Sequence, residues 1–584
     1  MTPSVLPCDL RRFSRLAPAL LVVALSAGCA RSKPVVEFPT LQALNRIAAL
    51  PAREPTVSAG DVPATGWTVD PSHAAQSTQD LWQPTDAWGR AFQSALAAAG
   101  RPLRLARAMA CTAQELGRFR LETKKNPPST LNTFIVGACG AVVPQGGNLW
   151  LSASVPAELS DDELLKQWSA KLGPDLIAQL PQDATDVGFW FGRSGGQAVA
   201  GVAYSQSSGE TKPFSLLADA NGTVTIEGRV KDNVEHFAGY INQGRFGVES
   251  CLVDPGVRPP QFRIVCPMAP SDRTAWVQLV YAQPRRVLAS LFLEALVRRT
   301  PSEPLSYTET ISGTQPAIGD KSAFSEAALT ELNAVRAQAK LAPVQLAAAQ
   351  SATAARLAGH YFAASMADNR DAQKDQIALG LMAGWQVDGM IRNGHFFAQL
   401  VPTSRDPGLW LNSALALPIG RSALLAADVE QIAVGPMLLA KPEGLGAVIT
   451  GYQLHHGTDH ANDVGRLLAR LSFARQNLGL SPPKTLLGMG PLLEEELKRV
   501  HAGTREPQQV MNDVLEIAVD RLGQDVGGYV IETTSLEAFQ IPPEVLKRPV
   551  LQVAVGVTHH KPTGSAWAQY AIFVVYLRSD PPGI

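Results

Sequence analysis

The sequence holds 10 histidines, and their grouping bounds the chemistry it can do. His455, His456, Asp459 and His460 lie within six residues, and imidazole with carboxylate is a donor set suited to zinc or copper. Donors this close in sequence make a surface clip at most, and the stretch reads as a polar loop after a strand. His559-His560 falls in the turn of the last hairpin and reads the same way. His360 and His395 are placed to face one cleft, where paired imidazoles would bind a ligand, although a hydrogen-bonded structural role is the preferred reading. Glu494, Glu495 and Glu496 begin a helix, where acids suit the positive end of the dipole, and read as a solvated face. No stretch is assigned as a nucleophile elbow. Neither His-Glu-x-x-His nor the phosphate-cradling Gly-x-x-x-x-Gly-Lys-Ser/Thr occurs. No catalytic residue, metal ligand or cofactor is therefore expected.

The compartment is written at the N-terminus. Arg11, Arg12 and Arg15 precede an apolar run from Ala17 to Leu25, followed by Ser26-Ala27-Gly28-Cys29. This is the pattern of a signal peptide, with an apolar run too short to span a bilayer. The cysteine after small residues resembles a bacterial lipobox, with Ser26 where an aliphatic residue is usual. The resemblance implies cleavage before Cys29, lipid attachment to its sulfur and, with Ala30 next, sorting to an outer membrane, facing the periplasm or the exterior. Four cysteines then remain in the mature chain, Cys111, Cys139, Cys251 and Cys266. In an oxidising compartment they read as disulfides. Of the three pairings open to four cysteines, Cys111–Cys139 and Cys251–Cys266 are favoured because each pair falls inside one proposed domain.

Composition narrows the partners. The net charge of −1 offers no basic field for nucleic acid, and no later apolar stretch reaches spanning length. The lipid is the expected membrane attachment. About 555 residues are too many for one core, so several domains are expected.

The elements repeat. Phe92–Leu105, Leu332–Leu346 and Phe473–Leu486 each pair the end of a helix with a proline turn, at Pro102, Pro343 and Pro482. In the last two, Arg336 and Arg475 stand seven residues before the proline. Each segment is later followed by a hairpin: 186–190 with 198–204, 432–435 with 446–454, and 553–557 with 568–577. Between the first two repeats, 223–227, 248–252, 262–266 and 275–281 read as the strands of a small antiparallel sandwich. The expected organisation is a signal peptide at 1–28, a flexible tether at 29–84 with a short helix near 41–50, an α/β unit at 85–212, a β-sandwich at 213–286, and further α/β units at 287–456 and 457–584. The fold class is multi-domain α+β.

These residues resemble the CAP superfamily of cysteine-rich secretory, antigen 5 and pathogenesis-related proteins. The second unit carries the resemblance over about 130 residues. Leu332-Asn333-Ala334-Val335-Arg336 with Pro343 looks like the first helix and loop, and Trp410-Leu411-Asn412-Ser413 like the tryptophan-serine segment of bacterial members. Arg421 precedes Ile432 as the family's arginine precedes its terminal glycine-bearing strand. Trp168 before Val187-Gly188 extends the likeness to the first unit, and the third lacks the tryptophan. The resemblance implies an α-β-α sandwich. It also implies a cleft with two histidines and two acids, but Ala364, His395 and Gly420 stand where the family has histidine, acid and histidine. The first unit has no histidine from 74 to 235 and the third has none between His501 and His559. The expectation is a retained scaffold with lost pocket chemistry. It leaves a candidate ligand cleft at His360, His395, Trp410 and Arg421 of the second unit. A non-catalytic binding or scaffolding role follows, with a glycan, lipid or neighbouring protein as ligand and serial modules giving avidity. The alternative is a divergent hydrolase or metal-dependent enzyme in that same cleft.

Overall fold

A computed structural model of the chain describes residues 38–578, apart from 52–65, 143–145, 157, 207, 285, 287, 308–317, 368–371, 402–403, 440–443 and 458–459. The expected signal segment, Cys29 and Asp459 lie outside the described residues. Two compact bodies are formed, one by Pro39–Val387 with Gly394–Gln453, the other by Asp388–Asn393 with Leu454 onward. The class is multi-domain α+β. Among the described residues no helix is long and apolar enough to cross a membrane.

Three four-stranded sheets share one topology. Numbering the strands within each repeat, the spatial order is one-three-four-two. The short first strand pairs parallel to the third at Arg104–Leu105 with Asp186–Val187, Gln345–Leu346 with Gln431–Ile432, and Lys484–Thr485 with Gln552–Val553. The third and fourth strands form the expected hairpins: Ala184–Ser194 with Gln197–Gln206, Gln431–Leu439 with Gly444–His455, and Gln552–His560 with Gln569–Leu577. Alternation in these strands feeds cores on both faces. In the third repeat Ala571, Phe573 and Val575 join the core of helices Gly490–His501 and Pro507–Leu522. Ile572, Val574 and Tyr576 join the core of helix Ala461–Gln476 on the opposite face.

The end of each first helix is built alike. Helices Ala87–Ala98, Lys321–Gln338 and Ala461–Gln476 are followed by a left-handed residue at Gly100, Lys340 and Gly479. The next amide reaches back five residues, from Arg101 to Leu96, from Leu341 to Arg336 and from Leu480 to Arg475. This is a Schellman-type stop, for which glycine is the usual residue. Lys340, at φ 59°, is the exception, and a side chain in this region costs roughly 1–2 kcal/mol. Lys340→Gly is therefore expected to stabilise the protein by about 0.5–1 kcal/mol. Urea unfolding checks this, and an unchanged or lowered midpoint contradicts it.

Arg336 and Arg475 are both fully buried. The Arg336 guanidinium donates to the carbonyls of Ala342, Leu424, Ala426 and Val429 at 2.8–3.4 Å. Arg475 donates to the equivalent carbonyls of Ser481, Leu546, Arg548 and Pro549 at 2.7–3.2 Å. Each fork fastens the end of the first helix to the loop before the third strand. The first repeat has Leu96 at this place. Arg101, five residues on, supplies the fork instead, to the carbonyls of Leu180 and Pro181.

The sandwich holds two antiparallel four-stranded sheets around Ile226, Ile241, Ile264, Val277 and Ala295. Its second sheet ends in Ser290–Arg298, paired along Thr274–Ala282. The sandwich therefore runs past 286, and the strand Ser290–Arg298, expected to lie in the second repeat, belongs to it. The run Leu288–Val297 is apolar with little alternation, so periodicity does not separate strand from helix there. Both favoured disulfides are present. Cys251–Cys266 lies within the sandwich, and Cys111–Cys139 ties helix Arg107–Thr123 to the C-cap of helix Ser129–Ala138.

The described parts of the expected tether are built into the fold. Helix Leu41–Ala48, capped by Thr40, buries Leu44 against Leu357, Ile377 and Leu381. Strand Trp67–Val69 pairs with Leu305–Tyr307. The helix falls where one was expected, near 41–50, whereas the low-complexity composition around Trp67–Val69 hid that strand, because a few apolar residues suffice when a prepared surface receives them.

Candidate functional site

Among the described residues, a cavity of about 170 Å³ lies in the first repeat where the sandwich meets it. Helix Arg107–Thr123 contributes Met109 and Thr112, helix Ser129–Ala138 contributes Asn132, Thr133 and Val136, and the fourth strand contributes Tyr204 and Ser205. The sandwich contributes Trp276 and Glu294. Small residues open the space. A Cβ on Gly137 would collide with the Trp276 indole, and one on Gly147 with the Tyr204 phenol.

Glu294 is the one ionisable carboxyl among the lining residues. The Gln278 side chain donates to its Oε2 at 2.6 Å. Gln278 is itself oriented by the Ile419 amide, which donates to its Oε1 at 2.9 Å. Burial pushes the Glu294 carboxyl up to about 7, against the smaller opposing effect of Gln278. Near neutrality the group thus presents either a hydrogen-bond donor or a charge. The lining contains no histidine, cysteine or lysine, and the Ser205 hydroxyl donates to Asp186, which pairs with Arg104. An activated nucleophile is not assembled, and one carboxyl cannot serve as both acid and base flanking a glycosidic bond.

The cleft expected in the second repeat is placed differently. Trp410 is buried, its indole donating to the Gln399 carbonyl at 3.2 Å. Arg421 is buried too, donating to the carbonyls of Leu415, Gly244 and Gly247. Both therefore hold main chain together. His360 is buried on helix Ala348–Ala367, and His395 bonds Gln453 at 2.8 Å. Gly192-Arg193-Ser194-Gly195-Gly196 has the spacing of a nucleophile elbow but turns from strand to strand, whereas an elbow turns from strand to helix.

The histidines read as separate polar loops converge in the third repeat. His455 and His559 stack at 4.0 Å between ring centroids, and His460 meets His559 edge-on at 4.4 Å. Tyr570 lies 4.8 Å from His559, its neighbour across the hairpin. His460, His559 and His560 are buried. Counting histidines between 501 and 559 missed this group because its members flank that interval. Among the described residues no three donors are placed to hold a metal ion.

No signal in the sequence singled out Trp276 or Tyr204. Glu294 carried one, as a lone charge inside the apolar run of Ser290–Arg298.

No protein-family profile matches the chain, and no curated protein does. Among solved structures, an extracellular protein containing a SCP domain from Bacillus anthracis str. Ames is 10% identical, with 52% of this chain and 94% of that chain covered. Its TM-score is 0.18, a value that carries no argument about fold or function.

Proposed function

We propose that the chain is a cell-envelope lipoprotein, held to a membrane by lipid on Cys29, that binds a ligand rather than transforming it. The signal-like N-terminus and the paired cysteines support the compartment. The repeated α/β frame and the decayed histidine-acid set support a divergent CAP-like scaffold without catalysis. One observation carries the binding reading: a cavity walled by Trp276, Tyr204, Asn132, Thr133 and a carboxyl that titrates near neutrality. At about 170 Å³ it is smaller than a drug-sized site. An aromatic face with convergent hydroxyl and amide groups suits one sugar ring, as at the end of an envelope glycan.

Calorimetric titration with a panel of monosaccharides tests the reading. At least one sugar is expected to bind, and Trp276→Ala to weaken it at least tenfold. No binding by any sugar, or equal binding by the variant, overturns it.

Glu294 also gives a pH signature. Its folded value, about 7, lies above the ordinary 4.5, so the folded state keeps a proton that the unfolded chain releases between those limits. Stability should then fall as pH rises from about 4.5 to 7 and level off above. The loss is on the order of 3 kcal/mol. Glu294→Gln should abolish that part of the pH dependence in urea unfolding at pH 5 and 8. An unchanged pH dependence in the variant contradicts the assignment.

A further inference from the structure

The third repeat holds a group of imidazoles that neither the cavity nor the scaffold reading uses. His455 ends the strand Gly444–His455, His460 is the N-cap of helix Ala461–Gln476, and His559 lies in Gln552–His560. Their contacts are ring on ring. His559 leaves both ring nitrogens buried and without a hydrogen bond, and the Nε2 atoms of His455 and His460 are in the same state. His455 keeps one bond, to the Ala568 main chain. The equivalent N-caps of the other repeats, Asp86 and Asp320, accept helix amides, whereas His460 makes no side-chain cap bond. A helix N-cap was thus given up for a place in the stack.

We propose that this stack is an acid-operated clasp: uncharged rings hold His455, and His460 with the first turn of its helix, against the last hairpin, and protonation releases them.

Two costs fall on a proton added here. It enters a buried site where His559 has no acceptor. It meets neighbouring imidazoles at 4.0 and 4.4 Å, so two rings cannot be charged together cheaply. The surrounding charges do not remove the conflict. Asp463, on the same helix, lies 3.4 Å from the His460 ring and Arg466 lies 3.6 Å from Asp463. Glu506 and Glu532 lie 3.7 and 3.8 Å from His560. The charges that bear on His559 are His455, His460 and His501, and those on His455 are Arg392, His456 and His460. Glu537 acts on Tyr570, beside the stack. Carboxylates thus lie beside His460 and His560, while Arg392 bears on His455 and other imidazoles bear on His559.

The sign follows. Burial first, then neighbouring imidazoles, lower His559 to about 3; burial first, then Arg392, lower His455 to about 4. The ordinary value is 6.5. The closed form refuses protons that the open form takes up below that value. The clasp is complete above pH 6.5 and weakens as pH falls toward 4, by up to about tenfold per pH unit for each ring.

Hydrogen exchange of the full chain, corrected for the intrinsic pH effect, tests the clasp at pH 7.0 and 4.5. Amides of 455–457 and 460–464 should open at least about 100-fold more at the lower pH, while the strand Gly527–Val530 stays protected. His559→Phe keeps a ring, loses no hydrogen bond and takes no proton, so it should hold the segment closed at pH 4.5. If that variant does not fold, His559→Leu serves the same purpose. Equal protection of the wild type at both pH values overturns the proposal, as does opening of the uncharged variant to the wild-type extent. Opening at pH 7.0 by a chelator alone also overturns it, since the rings would then be serving a metal.

Discussion

Arg336→Ala is expected to destabilise the protein by about 3–5 kcal/mol, the range for removing one side of a buried charged hydrogen-bond network. The side chain is fully enclosed and its fork satisfies carbonyls at the helix end and in the loop at 424–429. Truncation leaves those acceptors dry, and each unsatisfied buried group costs roughly 1–3 kcal/mol before relaxation. Arg336→Lys should recover little, because an ammonium cannot present the planar fork that reaches both sides. Arg475→Ala should cost as much, since its bonds repeat those of Arg336 atom for atom. Urea unfolding of the variants measures this. A loss below about 1 kcal/mol for either alanine variant would show that the fork is not what joins helix to loop.

The second large effect concerns the glycine in each third strand. A Cβ on Gly188 would meet the main chain of Ala110, and one on Gly435 the main chain of Ala354. Both contacts are with the second helix of their repeat, which lies directly on the sheet at these points. Backbone cannot step aside as a side chain does, so Gly188→Ala and Gly435→Ala should each cost about 3 kcal/mol or more, at or above the upper end for overpacking. The third repeat differs. A Cβ on Gly556 would lie 2.6 Å from the Leu497 Cδ1 atom, and a leucine tip can rotate away. Gly556→Ala should cost about 1 kcal/mol. The ranking is the test: if Gly556→Ala proves as harmful as Gly435→Ala, close approach of helix and sheet is not what these glycines serve.

Local signals carried much of this architecture. The spacing of Arg336 to Pro343 and of Arg475 to Pro482 marked a real shared device, and the three hairpins lie where alternation and glycine turns put them. Arg101 escaped that pattern because it reaches the same loop from beyond the helix end, so the function persists while the spacing does not. The strand Ser290–Arg298 escaped because nearly every position is apolar. The cavity was invisible for another reason: Thr133, Tyr204, Trp276 and Glu294 come from elements that only tertiary packing brings together. The imidazole stack joins residues about a hundred positions apart, which no short-range pattern encodes.

The pairing of Trp67–Val69 with Leu305–Tyr307 has a consequence for modularity. Two strands bring together the ends of a stretch of roughly 240 residues, and domains whose ends meet tolerate excision and insertion. The first repeat and the sandwich form a cassette with one shared seam. Circular permutation within that cassette, joining Trp67 to Tyr307 by a short peptide, should leave it folded, whereas trimming either seam strand alone would leave the other with an unpaired edge.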